Sequence, residues 1–208
     1  TCNFLFLCGG YYSYTKPHMP DFKNQENFDG QIIHPQFWDE SLEYEDKKIA
    51  VIGSGATAIT IVPAIAEKAE HVVMIQRSPT YVVSGPSEDS INKSLRKILP
   101  VKLTYFLIRW KNILYQSFTF FMARKYPERT KHKILELAKD ELGSDYDIDK
   151  HFTPSYKPWD QRICLVPDSD LFEAINNKKA SVITDTIDEF QSDGILLNSG
   201  EKVEADII

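Results

Sequence analysis

Between Lys47 and Ser78 the chain reads KKIAVIGSGATAITIVPAIAEKAEHVVMIQRS, and few architectures accommodate such a stretch. Ile49–Ile52 is a continuous apolar run, Ala56–Ala69 is rich in Ala and Ile at helical length, and His71–Ile75 is a second apolar run. Strands that are apolar on both faces belong to covered parallel sheets, and two of them joined by a helix make a βαβ unit. The turn that opens the helix is Gly53-Ser54-Gly55-Ala56-Thr57-Ala58. Gly53 permits the tight turn, Gly55 lets a ligand approach the backbone, and Ala58 allows close helix–strand packing. Free N–H groups at the helix start attract a pyrophosphate. A GxGxxA directly after a strand and opening a helix predicts a Rossmann-like α/β domain that binds a dinucleotide.

The second strand chooses the nucleotide. An NAD site places an acid near its end to accept from the ribose 2′-hydroxyl. From His71 to Ser87 there is no Asp or Glu, and the strand runs out as Gln76-Arg77-Ser78. A carboxylate here would repel a 2′-phosphate, whereas a guanidinium pairs with it in a charge-assisted fork. Arg77 and Ser78 therefore favour NADPH over NADH; the plain alternative for Arg77 is a solvated cation at a strand end.

Elsewhere the pattern is mixed. Phe4–Cys8 is an apolar run before Gly9-Gly10, expected to be a buried strand reaching a tight turn. Residues 11–47, with several Pro, Tyr and Asp, read as extended. Residues from about 85 to 160 leave the strand–helix alternation and predict a helical insertion. Within it Leu103, Phe106, Leu107, Trp110, Leu114, Phe118 and Phe121 fall at helical spacing, opposite Tyr105, Arg109, Asn112 and Gln116. Leu171–Ile175 reads as a helix and Ser181–Thr184 as a strand. The remainder reads as a three-stranded meander turning at Ser192-Asp193-Gly194 and Asn198-Ser199-Gly200.

Composition removes several classes. A chain of 208 residues, 42% hydrophobic and 26% charged, is ordinary for a soluble globular unit. The net charge of −6 gives no bulk attraction to nucleic acid. Cys2, Cys8 and Cys164 lack dithiol or zinc spacing and fit a reducing cytosol, and no signal peptide is visible. His18, His34, His71, His132 and His151 show no metal spacing, and there is no GxSxG turn. Opening without Met and closing on the apolar run VEADII, the chain is expected to be an internal piece of a longer protein.

Ahead of the βαβ unit stands FDGQIIHPQFWDE, Phe28–Glu40. Its Phe28, Gly30, His34, Trp38 and Asp39 match FxGxxxHxxxW[P/D], the fingerprint of Baeyer–Villiger monooxygenases, at every fixed position. The chain thus resembles the flavin-containing, class B monooxygenases, with GxGxxA and Arg77 where that family binds NADPH. FLFLCGG is similar to the strand and turn the family writes as ATG, and EADII to the strand before a second ATG. RKILP, HFTPSYKPWDQRICLVPDSDLF and the helical insertion look most like flavoproteins linked to bacterial long-chain alkane oxidation.

That resemblance implies a two-dinucleotide-binding-domain flavoprotein. Residues 1–46 would hold the end of an FAD-domain strand and the interdomain linker, and residues 47–208 the NADPH-binding domain with its insertion at about 85–160. FAD would be bound mainly by segments of the missing FAD domain, so this piece alone should not turn over. NADPH would reduce the flavin, and a flavin C4a-(hydro)peroxide would insert one oxygen atom of O2 into an apolar small molecule. His34 and Trp38 would hold the domains in register; the plain alternative, on residue types alone, is that they only staple a loop. In the family segment resembled by YKPWDQRICL an Arg stands beside flavin and nicotinamide; it falls on Arg162, the catalytic candidate, which without that resemblance reads as a surface ion-pair residue. Arg remains charged in a dry pocket, where it best stabilises an anionic peroxide. Gln161 occupies a place where the family often has a phosphate-contacting Lys, which leaves Arg77 more of the 2′-phosphate charge. The alternatives are an FAD/NADPH-dependent reductase without oxygenation, including a disulfide reductase, and a non-catalytic NADPH-sensing module.

From Ile91 to Lys133 eleven Lys and Arg stand against one acid, Glu128, so this segment carries +10 and the rest of the chain −16. Together with the aromatic stripe this is one expectation of an interfacial helix meeting anionic lipid, peripheral to the inner face of the cell membrane. Arg109 and Lys111 in mid-run exclude a transmembrane span. The other expectation, the one favoured here, is a helix whose apolar face is core and whose basic face meets an acidic neighbouring domain in a cytoplasmic protein.

Overall fold

The expected βαβ unit forms. In the computed structural model, which describes residues 2–10 and 13–208, it comprises β1 (Lys48–Ile52), α1 (Ala56–Ala66) and β2 (His71–Gln76). Then follow β3 (Tyr81–Gly85), α2 (Ser90–Arg96), α3 (Val101–Lys125), α4 (Pro127–Leu142) and α5 (Ile148–His151). The chain continues through β4 (Ile163–Pro167), α6 (Asp170–Asn176), β5 (Ala180–Thr184), β6 (Ile187–Gln191), β7 (Gly194–Leu197) and β8 (Lys202–Glu204). Of the extended segment expected at 11–47, Tyr11 and Tyr12 lie outside the described residues. The rest carries only one-turn 3-10 helices at Gln25–Asn27 and Pro35–Phe37.

β1, β2 and β5 form a parallel sheet, in register from Lys48–His71 to Ile52–Ile75 and from Val72–Ala180 to Gln76–Thr184. Ile207 extends it beyond β1, bridging Ile49 on one side and Gln31 on the other. The Ala50 N–H donates to the Ile207 carbonyl (2.9 Å), and the Ile33 N–H donates to that of Ile208 (2.8 Å). The linker is therefore tied into the sheet through the last residues of the chain.

Side chains alternate across the sheet. Ile49, Val72, Met74 and Val182 face a core completed by Val62 of α1 and by Leu171 and Phe172 of α6. Ala50 and Ile75 face a second core with Phe28, Phe190, Ile195 and Leu197. The antiparallel meander β6–β7–β8, turning where expected, supplies most of that second layer.

Four expectations need correction. Phe4–Leu7 is not a buried strand: all four side chains are exposed and no described segment pairs with them. Extended apolar chain becomes a strand only against a neighbour. Helix α1 stops at Ala66 rather than Ala69, because the Lys68 and Ala69 N–H groups both fold back onto the Ile65 carbonyl before the chain enters β2. The strands β3 and β4, unanticipated, pair parallel from Tyr81–Ile163 to Gly85–Pro167 as a separate two-stranded sheet. Finally, the apolar face of α3 is not core. Only Thr104 and Ala123 are buried, while Leu103, Phe106, Leu107, Trp110, Leu114, Phe118 and Phe121 are 41–64% exposed.

Candidate functional site

The glycine turn lies at the carboxyl end of β1. Gly53 has φ 130, a conformation that only glycine adopts without strain, and its N–H donates to the Ile75 carbonyl at 2.8 Å. Gly55 is the N-cap of α1, and among the described residues no side chain caps that end. The first-turn N–H groups are thus left for a ligand. A Cβ added at Gly53 or Gly55 would meet no atom within 4 Å, so the space above the turn is open. Ala56 and Thr57 are exposed and Ala58 is buried against the sheet, the small-residue role expected of it. Ser54 Oγ donates to the Ser78 carbonyl (3.2 Å), joining the turn to the exit of β2. There Arg77 and Ser78 are exposed, and among the described residues Arg77 forms no ion pair. An uncapped helix start, open glycines and a free guanidinium one strand away fit a dinucleotide bearing an additional phosphate.

The linker fingerprint divides in two. Phe28 is buried edge-on to Phe190, with ring centroids 6.4 Å apart, and the Asp29 N–H donates to the Ser192 carbonyl (2.9 Å). At Gly30 a Cβ would collide with the Asp206 carbonyl oxygen and the Phe28 ring, so only glycine fits. The other half makes local contacts. His34 Nδ1 accepts from the Gln36 N–H (3.1 Å), capping the turn at Pro35–Phe37. Trp38 meets Tyr44 edge-on (6.3 Å), and Asp39 accepts from the Ser41 hydroxyl (2.6 Å) and N–H (2.9 Å), which holds its carboxyl below the usual range. His34 and Trp38 nonetheless line one cavity of about 760 Å³ with Gly53, Gly55 and Thr57. The fingerprint and the glycine turn, separate in sequence, face each other.

Arg162 and Gln161 do not line that cavity. Both are exposed at the entry to β4. Because Ile163 is in register with Tyr81, Arg162 sits beside Thr80, in the loop that Arg77 opens. Both arginines thus lie past the carboxyl end of β2, although no hydrogen bond or ion pair among the described residues joins them.

Sequence reasoning passed over a polar cluster behind this edge. Gln76 is 2% exposed, and its Nε2 donates to the His151 carbonyl (2.7 Å) and to Thr184 Oγ1 (2.8 Å). Thr184 Oγ1 also lies 2.8 Å from His151 Nδ1. Burial, with Lys150 adding to it, lowers the His151 pKa. The one available signal was a Gln ending an otherwise apolar strand. Tyr81 was missed as well: it is fully buried, its phenol is pushed up to about 12 chiefly by burial, and it donates to the Tyr156 carbonyl at 2.6 Å.

This parallel sheet with its glycine turn, and the sequence profile of the flavin-binding monooxygenase-like family that matches residues 2–148, place the chain in that family. Over 209 aligned residues, all of this chain, it is 52% identical to the FAD-containing monooxygenase EthA of Mycobacterium tuberculosis. It is 49% identical over 207 residues to the probable FAD-binding monooxygenase AlmA of Acinetobacter baylyi. The chain spans 43% and 41% of those two proteins. In fold it resembles an oxidized steroid monooxygenase bound to NADP (TM-score 0.71, 18% identity), covering 93% of this chain and 43% of that one. Cyclohexanone monooxygenase from Rhodococcus bound to NADP+ gives TM-score 0.65 at 18% identity, over 91% of this chain and 43% of the other.

Proposed function

We propose that this chain is the NADPH-binding part of an NADPH- and FAD-dependent monooxygenase that puts one oxygen atom of O2 into an apolar small molecule. The observation that carries the reading is the open glycine turn, joined through Ser54 to the strand exit where Arg77 forms no ion pair among the described residues, with no acid on that strand end. Relatives named as FAD-containing monooxygenases support it. Residues 1–46 then belong to the interdomain linker and to the end of an FAD-domain strand, for which Phe4–Leu7 would find in the FAD domain the neighbour it lacks among the described residues, and residues 47–208 to the NADPH domain. When bound, NADPH supplies a hydride and FAD the centre at which O2 is activated. The residues here bind and orient. The first-turn N–H groups of α1 take the pyrophosphate, and Arg77 and Ser78 take the 2′-phosphate, with Gln161 as a neutral neighbour. His34 and Trp38 hold the linker over the turn. Arg162 supplies a permanent cation where negative charge develops.

In the full-length protein, Arg77→Ala is expected to weaken NADPH binding about tenfold or more relative to NADH, as loss of a charge-assisted fork should. Equal losses for both nucleotides, measured by calorimetry, would overturn the assignment.

A second reading concerns the partner of α3. Its exposed aromatic residues, and the segment of charge +10 around it, support peripheral contact with an anionic lipid surface at the inner face of the cell membrane. Among the described residues no helix is long and apolar enough to cross a membrane. Full-length protein should float with vesicles containing anionic lipid and not with neutral ones; flotation independent of lipid charge, or none at all, removes this reading.

A further inference from the structure

Between α5 and β4 the chain from Thr153 to Arg162 has no regular structure apart from an isolated bridge between Pro158 and Gln161, yet it is gripped from two sides. From the sheet, the Tyr81 hydroxyl donates to the Tyr156 carbonyl (2.6 Å), the two rings meet edge-on at 5.3 Å, and Thr80 Oγ1 lies 3.0 Å from the Tyr156 hydroxyl. From the helical insertion, Lys131 of α4 donates to the Pro154 carbonyl (3.1 Å). Phe120 of α3 stands edge-on to Trp159 (5.7 Å), and Arg124 of α3 pairs with Asp160 at 2.5 Å. Between these grips the Asp160 N–H closes a turn onto the Lys157 carbonyl (3.0 Å), and Trp159 takes φ 67. A bulky side chain holds that left-handed conformation only where its surroundings over-determine it. Gln161 and Arg162 follow at once, and the Tyr81–Ile163 register fixes the chain beyond them.

We propose that the helical insertion is the positioning frame of Arg162: Arg124 and Phe120 lock the strained Trp159–Asp160 turn, and that turn sets where the Arg162 guanidinium stands. The inference rests on Arg162 being the reactive-site cation. Arg124 and Asp160 are positioning residues, since neither is placed against cofactor or substrate. Their ion pair is half-exposed and so contributes little to global stability. Its effect is local, on how often the turn opens.

The test uses the full-length flavoprotein with FAD bound. Arg124→Ala should speed amide exchange at residues 159–162 by about fivefold, the factor a well-placed exposed ion pair commands. It should also raise several-fold the hydrogen peroxide released per NADPH consumed, with the KM for NADPH and the melting temperature nearly unchanged. Arg124→Lys should stay near wild type, and the exchanged pair Arg124→Asp with Asp160→Arg should recover both readouts. Wild-type exchange and coupling in Arg124→Ala, or a swap that restores neither, would overturn the proposal. Arg162→Ala is the control. If it leaves coupling intact, the role given to Arg162 fails and the proposal falls with it. If it uncouples turnover while Arg124→Ala does not, the frame alone is refuted.

Discussion

Gly30 shows what a fingerprint position can mean physically. Its place in the pattern marks it as functional, yet the structure gives it a steric role, since the Asp206 carbonyl and the Phe28 ring occupy the space of a Cβ. Gly30→Ala must displace either the paired C-terminal segment or a buried ring, an overpacking that typically costs about 1–3 kcal/mol. Urea unfolding should show that loss as a lower midpoint, without a matching loss of nucleotide affinity in the folded protein. Arg77 is the opposite case. Its side chain makes no hydrogen bond or ion pair among the described residues, and its meaning comes from charge and place. Trp38, the most conspicuous residue of the fingerprint, is 41% exposed, so its packing with Tyr44 leaves half the indole available to other groups.

At the scale of elements, α5 is pinned to the sheet by the Gln76–Thr184–His151 cluster. Burial, more than Lys150, sets the His151 pKa below its ordinary 6.5. Below about pH 6.5 the unfolded chain takes up a proton that the folded chain refuses, so stability is lost as pH falls toward the folded pKa and is fully present above 6.5. Thermal melts between pH 7.5 and pH 5.5 should show a fall that His151→Asn flattens; parallel curves would remove His151 as its source. The elements themselves were unevenly legible. The βαβ unit and the meander were readable because covered strands and glycine turns write a strong local period. β3 and β4 were not, because YVVSG and ICLVP are short, apolar and bounded by Pro, and find each other across the entire helical insertion. The apolar spacing of α3 was read correctly, but spacing says nothing about which surface covers it, and the described residues cover little.

In the whole molecule the sequence placed the glycine turn and Arg77 together and left the linker as a separate object. The structure joins them: His34 and Trp38 line one cavity with Gly53 and Gly55. No local pattern could show this, because it depends on Gln31 and Ile207 sharing a rung of the sheet. That rung has a consequence for biosynthesis. Residues 31–33 leave the ribosome early, while residues 206–208, the inner neighbours they require, are made after β8. The nascent linker must therefore stay undocked until those residues emerge, so the rung that brings His34 and Trp38 beside the nucleotide turn forms after the β1–α1–β2 unit rather than with it.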